Sequence, residues 1–253
     1  MRRIAVVNQK GGSGKTTTVV NLAAALGKRR RRVLVVDLDP QGAATAWLDA
    51  RHTEPGVAEV LTGQRGLHAV IAESGARRVE IVPATPALSA VEPVLKWREI
   101  ERFRNLLDAL PPDRWDYVLF DAPPTTSPLA QTALVAANEV IVPVEARALA
   151  LRGMAQIFET IEGIRKNRNR GLKIAGIVAC RVDLRTRHAR EVLAALREAF
   201  APRLYATLIR ENVKLSEAPS FFQTIFDYDP TCHGARDYQA LALEVVRQEE
   251  GAR

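Results

Sequence analysis

Cysteine, long apolar runs and aromatic residues are all scarce in this 253-residue chain, and each scarcity closes off a class of protein. Cys180 and Cys232 stand alone and far apart. Two such residues make neither a disulfide framework nor a metal-binding spacing, and they fit a reducing compartment. No apolar run approaches the about 18 residues that a membrane-spanning helix needs. After two arginines, the run Ile4 to Val7 is too short for a secretion signal and reads as a buried strand. Aromatic residues make up 6% and do not interleave with the basic segments, so no platform for stacking single-stranded bases is expected. Internal repeats and low-complexity linkers are missing too, so residues 1–253 are expected to form one domain.

What is present is a core-forming chain with a basic excess. Apolar residues make up 47% and charged residues 26%, which excludes a disordered tail. The net charge of +7 implies an anionic partner but does not choose among nucleic acid, lipid and nucleotide. The run Arg29 to Arg32 reads as a solvated turn between a helix and a strand.

Short apolar runs that end in turn residues alternate with helical periodicity. Expected strands are Ile4–Asn8, Val33–Val36, Val79–Val82, Tyr117–Phe120, Glu139–Val142, Lys173–Ala179 and Leu204–Ile209. Expected helices are Thr16–Lys28, Leu95–Leu110, Leu149–Arg165, His188–Phe200 and Ala235–Gln248. Ala43 to Ala76 is irregular, with room for short helices. The pattern predicts an α/β fold: a mostly parallel twisted sheet flanked by helices on both faces.

Residues Lys10 to Thr17 read KGGSGKTT, between a strand and a helix, which is the context of a phosphate-binding P-loop. Gly11, Gly12 and Gly14, with Ser13, let main-chain N–H groups close on an anion. The helix N-terminus adds free donors and a positive dipole end. Lys15 is expected to reach the β- and γ-phosphates, and the Thr16 hydroxyl to ligate magnesium, with Thr17 beside it. The general pattern has glycine at position 9, where this chain has Gln9 followed by Lys10. A lysine ahead of the double glycine resembles the deviant Walker A box.

Asp37 and Asp39 in VVDLDPQG, and Asp121 in VLFDAPP, close apolar strands. Ligands of open parallel sheets sit at the carboxyl ends of strands, so the three acids are expected to converge on the P-loop. Two of them suit magnesium and one suits the attacking water.

KGGSGKTT, VVDLDPQGAAT, VLFDAPP, VIVPVEA and NVKLSEAPSFFQTI together resemble the ParA/Soj family of chromosome and plasmid partition ATPases over nearly the whole chain. The resemblance implies a P-loop NTPase fold of the deviant Walker A type, with ATP and Mg2+ bound. It implies that Lys10 reaches across a dimer interface to the partner's phosphates, that Asp39 activates the water, and that Asp37 and Asp121 serve magnesium. It further implies a homodimer around two ATP molecules, non-specific binding to double-stranded DNA, and a ParB-like partner that stimulates hydrolysis and release. Arg185 in VDLRTRHAR and Lys214 in ENVKLSEAP match basic residues linked to DNA binding, and Arg185 forms a basic cluster with Arg181, Arg187 and Arg190. Adenine contacts are expected at Arg210 and Asn212, although Arg210-Glu211 stands where the family often has Pro-Arg. The start of the chain at its first strand implies no separate DNA-reading domain, and the implied location is cytoplasmic, on the nucleoid. Two alternatives remain: a MinD-like membrane-positioning ATPase and a nucleotide-dependent scaffold. The tail ALALEVVRQEEGAR, acidic and without aromatics, argues against the former. The cysteines do not match the cluster ligands of the nitrogenase iron protein, which shares the first motif.

Overall fold

A computed structural model describes residues 1–50, 54–124, 127–147 and 150–250, with the backbone alone at 150–152 and 250. Its strands are β1 (Arg2–Val6), β2 (Val33–Asp37), β3 (Ala72–Glu73), β4 (Val79–Val82), β5 (Tyr117–Asp121), β6 (Glu139–Glu145), β7 (Lys173–Val182) and β8 (Leu204–Arg210). They form one eight-stranded sheet in the order β3-β4-β2-β5-β1-β6-β7-β8. All neighbours are parallel except the short edge pair β3–β4. Six longer helices are labelled here: α1 (Lys15–Lys28), α2 (Trp97–Asp108), α3 (Pro128–Ala136), α4 (Ala150–Asn167), α5 (Arg187–Phe200) and α6 (His233–Glu250). Short helical segments at Ala43–Trp47, Val57–Thr62 and Leu67–Val70 fill the irregular region, as its composition suggested.

The strands are apolar throughout because both faces of the sheet are covered. Side chains alternate across the pleat. Ile4 and Val6 of β1, with Val33 and Val35 of β2, pack against α1 and α6. Ala5, Leu34 and Val36, one residue out of phase, pack on the other face against α2, α3 and α4. Each fully buried Val or Leu stabilises the fold by about 1.5–3 kcal/mol. Registration is tight at the centre, where Val6 and Asp37 both stand beside Asp121. The carboxyl ends of β1, β2 and β5 are thereby brought level.

Several boundaries differ from the sequence pattern, each for a physical reason. β1 begins at Arg2, not Ile4, because Arg2 and Arg3 reach Glu139 and Asp108 at the lower edge of the sheet. Val7 and Asn8 stay buried but have left the strand. β6 runs through Pro143 to Glu145 instead of stopping at Val142. The Pro143 carbonyl accepts from the Asn8 side-chain amide, so its edge faces the β1 side, past the last β1–β6 pair Val6–Ile141. No ladder donor is lost there. β7 continues to Val182, and α2 starts at Trp97, after a helical turn at Glu92–Val94 that contains Pro93. The expected start of α4, Leu149, lies outside the described residues.

Candidate functional site

The loop between β1 and α1 is built on left-handed backbone, with Gly12 at φ 72° and Gly14 at φ 89°. A Cβ would strain this conformation, and Gly14 also lies over Cys180, whose Sγ a Cβ would meet at 3.8 Å. The loop lines a cavity of about 520 Å³. Gly11, Gly12, Gly14, Lys15, Thr16 and Thr17 form one wall. Asp39 and Pro124 also line it, and Ile209 to Val213 with Leu215 form a further wall. A cavity of this size suits a nucleotide.

Beneath the loop, Asp37 and Asp121 stand side by side on adjacent strands, both fully buried. Asp37 is held by Thr45, whose N–H and hydroxyl both donate to Oδ2 at 2.8 and 2.7 Å, and by the Asp39 N–H donating to Oδ1. Burial still pushes its carboxyl up to about 6. Asp121 is raised further, first by burial and then by the Asp37 charge. The Thr16 hydroxyl is near enough to oppose that rise, yet it makes no well-formed hydrogen bond, and both Asp121 oxygens are buried without a partner. Lys15 is 8% exposed. Burial lowers its pKa, against the pull of Asp121 and Asp39.

These features test whether a magnesium-bound phosphate fits. Two orphaned carboxylate oxygens on Asp121 cost several kcal/mol if left dry. Hard oxygen donors beside a buried ammonium suit a divalent cation together with an anion. Asp121 and Thr16 have free oxygen capacity toward such a cation. Asp37 has its Oδ2 taken up by Thr45 and keeps acceptor capacity only on Oδ1, so it would contribute less directly.

Comparison with known proteins agrees. A family model described as an AAA domain matches residues 1–174. The chain is 44% identical over 252 residues to the chromosome-partitioning ATPase Soj of Thermus thermophilus, covering 100% of this chain and 98% of that one. The chain belongs to the ParA/Soj family of partition ATPases. The sporulation initiation inhibitor protein Soj of Bacillus subtilis is 38% identical over 249 residues, 96% of this chain and 97% of that protein. A crystal structure of cobyrinic acid a,c-diamide synthase from Mycobacterium smegmatis, with a bound ATP analogue and magnesium, superposes with a TM-score of 0.85 at 32% identity. It covers 100% of this chain and 97% of its own.

In this ParA/Soj family member the expected site residues divide into two groups. Gly11, Gly12, Gly14, Lys15, Thr16, Thr17, Asp39, Arg210 and Asn212 face the cavity, with Asp37 and Asp121 buried behind the loop. Lys10 and Ser13 instead line a small adjacent cavity of about 50 Å³. There Lys10 is 61% exposed and its ammonium sits 2.8 Å from Glu145. Arg210 turns its guanidinium onto Asp237 at 2.5 Å. Asn212 caps the helix Val213–Glu217 by accepting from the Lys214 N–H. Of the expected basic cluster, Arg181 joins Glu145 at the cavity, whereas Arg185 and Arg187 are about nine-tenths exposed and rest on Asp183 and Glu191. Lys214 rests on Glu217. Sequence reasoning missed Thr45, Cys180, Glu145 and Tyr238. Thr45 and Glu145 had a signal, lying in the motifs VVDLDPQGAAT and VIVPVEA; Cys180 and Tyr238 are brought in by β7 and α6.

Proposed function

We propose that residues 1–253 act as one domain, a magnesium-dependent ATPase of chromosome or plasmid partition. Its ATP-bound form is a homodimer that holds double-stranded DNA without sequence preference in the nucleoid, until a ParB-like protein stimulates hydrolysis and release. The observation that carries this reading is a division of labour between two lysines. Lys15 is buried beside Asp121 and Asp39 within reach of its own nucleotide. Lys10 is exposed on the same loop, beside a separate small cavity, with its ammonium tethered among the described residues only to Glu145.

Each residue then has a physical task. Main-chain N–H groups of Gly11 to Thr17 cradle the phosphates, and Lys15 neutralises the β–γ bridge. Thr16 and Asp121 would hold magnesium, with Asp37 behind; when bound, the ion offsets charge on the departing phosphate. Asp39, at the cavity mouth, positions water in line with the γ-phosphate. Arg210 and Asn212 stand where the base would lie. Lys10 exchanges Glu145 for the partner's phosphates, which ties subunit pairing to the triphosphate.

Arg185 and Lys214, at the ends of β7 and β8 near the cavity, carry the DNA phosphates. Their present partners, Asp183 and Glu217, are partly exposed carboxylates whose pairs solvent screens, so exchange for phosphate costs little. The test is Arg185→Glu, measured for ATP-dependent binding to two unrelated duplexes. Affinity should fall equally on both, and log affinity should drop with log salt by about 0.9 per phosphate contacted. Unchanged binding, or loss on one sequence only, would remove the DNA assignment.

A further inference from the structure

Three walls of the nucleotide cavity are tied together outside it, at residues 223–225. The first wall is the P-loop with α1. Asn21, fully buried on α1, donates from Nδ2 to the Thr17 carbonyl at 2.9 Å, and its Oδ1 accepts from the Ile225 N–H at 2.9 Å. The second wall is the loop that carries Asp37 and Asp39. The Asp39 carbonyl accepts from the Gly42 N–H, and Gly42 opens the short helix Ala43–Trp47, in which Thr45 holds Asp37. At the end of that helix Trp47, 5% exposed, donates its indole N–H to the Gln223 carbonyl at 2.6 Å. The third wall is the stretch 212–221, which carries Lys214 and runs directly into Gln223.

This junction joins a rigid unit to a shallow one. Ser220, Phe221 and Gln223 are exposed, and a cavity of about 180 Å³ lies between Trp47 and residues 222–224. The chain therefore has room to shift there. The stretch around Lys214 is braced instead. Lys214 and the Tyr228 hydroxyl both donate to Glu217 Oε2, at 2.9 and 2.8 Å, and Phe221 stacks on Tyr228 with ring centres 5.2 Å apart. The Gln223 N–H donates to the Ala218 carbonyl at 3.3 Å, which closes the same unit. A buried indole N–H is costly to leave unpaired, so Trp47 and Gln223 move together. A displacement of Gln223 is then passed to Lys214.

We propose that Trp47 is a positioning residue that ties the Asp39 loop to the stretch carrying Lys214, so that engagement of Asp39 at the γ-phosphate resets that stretch. The inference rests on the reading given above, in which Lys214 contacts DNA in the ATP-bound form. It supplies the connection that reading needs, because Lys214 and Asp39 belong to different walls. The two positions of the stretch are the bistable element, and the nucleotide biases them through Asp39.

The test is fluorine NMR on a parent chain with a trifluoromethyl tag at Ser220→Cys, and with Cys232→Ser to remove the other accessible thiol. Spectra are taken with magnesium and either ADP or a slowly hydrolysed ATP analogue. The tag should resonate at different positions with the two nucleotides. Adding Trp47→Phe, which keeps a ring and removes the N–H, should collapse that difference and leave analogue affinity and subunit pairing unchanged. In parallel, the ratio of duplex affinity with the analogue to that with ADP should shrink by about fivefold or more, the scale of a typical coupling. A tag that ignores the nucleotide in the parent would overturn the proposal. So would an equal response in Trp47→Phe with only a lower melting temperature, the mark of a packing role. Loss of analogue binding or pairing in Trp47→Phe would place the residue in the site itself and overturn it too. A Trp47-dependent response in a parent that binds duplex equally with both nucleotides would uphold the junction and remove the DNA reading, so the two failures differ.

Discussion

The two ends of the sheet handle polar groups in opposite ways. At the amino ends of the strands, the buried and half-buried side-chain charges find opposite charges or polar partners within the chain, with one nitrogen, Arg3 Nε, left over. Arg2 grips Glu139 and donates to the Val245 carbonyl, Arg3 meets Asp108, and the Trp115 indole N–H donates to Glu80. At the carboxyl ends, Asp121 is left with two orphaned oxygens, Ser13 with an orphaned hydroxyl, and Lys15 with a desolvated ammonium. A chain that pairs nearly every charge at one end and leaves a whole carboxylate without partners at the other has a site whose missing partners come from outside. The lower end shows what folding alone requires, and the upper end shows what a ligand must supply.

The contrast can be broken first at Asp39. Asp39→Ala should lower the rate of ATP hydrolysis by about 10²–10⁴-fold, the usual worth of a positioned acid or base, while ATP still binds. Phosphate release and nucleotide affinity measured together check this; loss of affinity with an unchanged maximal rate would reverse the assignment. Lys15→Ala should weaken ATP binding by about 2–5 kcal/mol, because it removes one partner of a desolvated charge pair. Calorimetric titration checks it, and unaltered affinity would defeat the P-loop reading.

A pH series sharpens the same comparison. Burial raises Asp37 from 3.8 to about 6, so the folded chain holds a proton that the unfolded chain has released. The stability this group contributes is complete below about 4 and is lost as pH rises through about 6. Asp121 shifts in the same direction. A cation that needs these groups ionised should then stabilise the protein more at pH 7.5 than at pH 5. Melting temperatures with and without magnesium and an ATP analogue check this, and equal stabilisation at both values would contradict it.

The smallest expected effect is at Glu145. This buried carboxylate is shared by Lys10, Arg147 and Arg181, which lower its pKa despite the opposing effect of burial. All three cations are about half exposed or more, so solvent screens the pairs. Glu145→Gln should change folding stability little, because solvent screens the cations, and should leave the proposed ATP dimer equal or tighter, since Lys10 is freed. A weaker dimer in sedimentation would show that Glu145 itself supports pairing.

Much of the site was legible in the sequence because it is local. KGGSGKTT fixes a loop by glycine conformation and helix polarity, and Asp37 and Asp121 mark strand ends by closing apolar runs. Those marks need no knowledge of strand order. The missed residues are non-local. Glu145 lies past Pro143, where the sequence pattern ended the strand, and only the divergence of β1 at Val7 lets β6 continue. Cys180 reaches Gly14 because β7 runs further than its apolar stretch suggested. Asp237, which takes the Arg210 guanidinium, comes from α6, 27 residues along the chain. The basic cluster read around Arg185 separated for a related reason: Arg181 still belongs to β7 and points to Glu145, whereas Arg187 opens α5.

The central claim is that the γ-phosphate, through Lys10, joins two subunits into the form that holds DNA at Arg185 and Lys214. Its most direct test is the solution mass of the wild-type chain and of Lys10→Ala, each with magnesium and either ADP or a slowly hydrolysed ATP analogue. The account predicts a dimer for the wild type with the analogue alone, and a nucleotide-bound monomer for Lys10→Ala in both. A wild-type monomer with the analogue, or a stable analogue-bound dimer of Lys10→Ala, would contradict it.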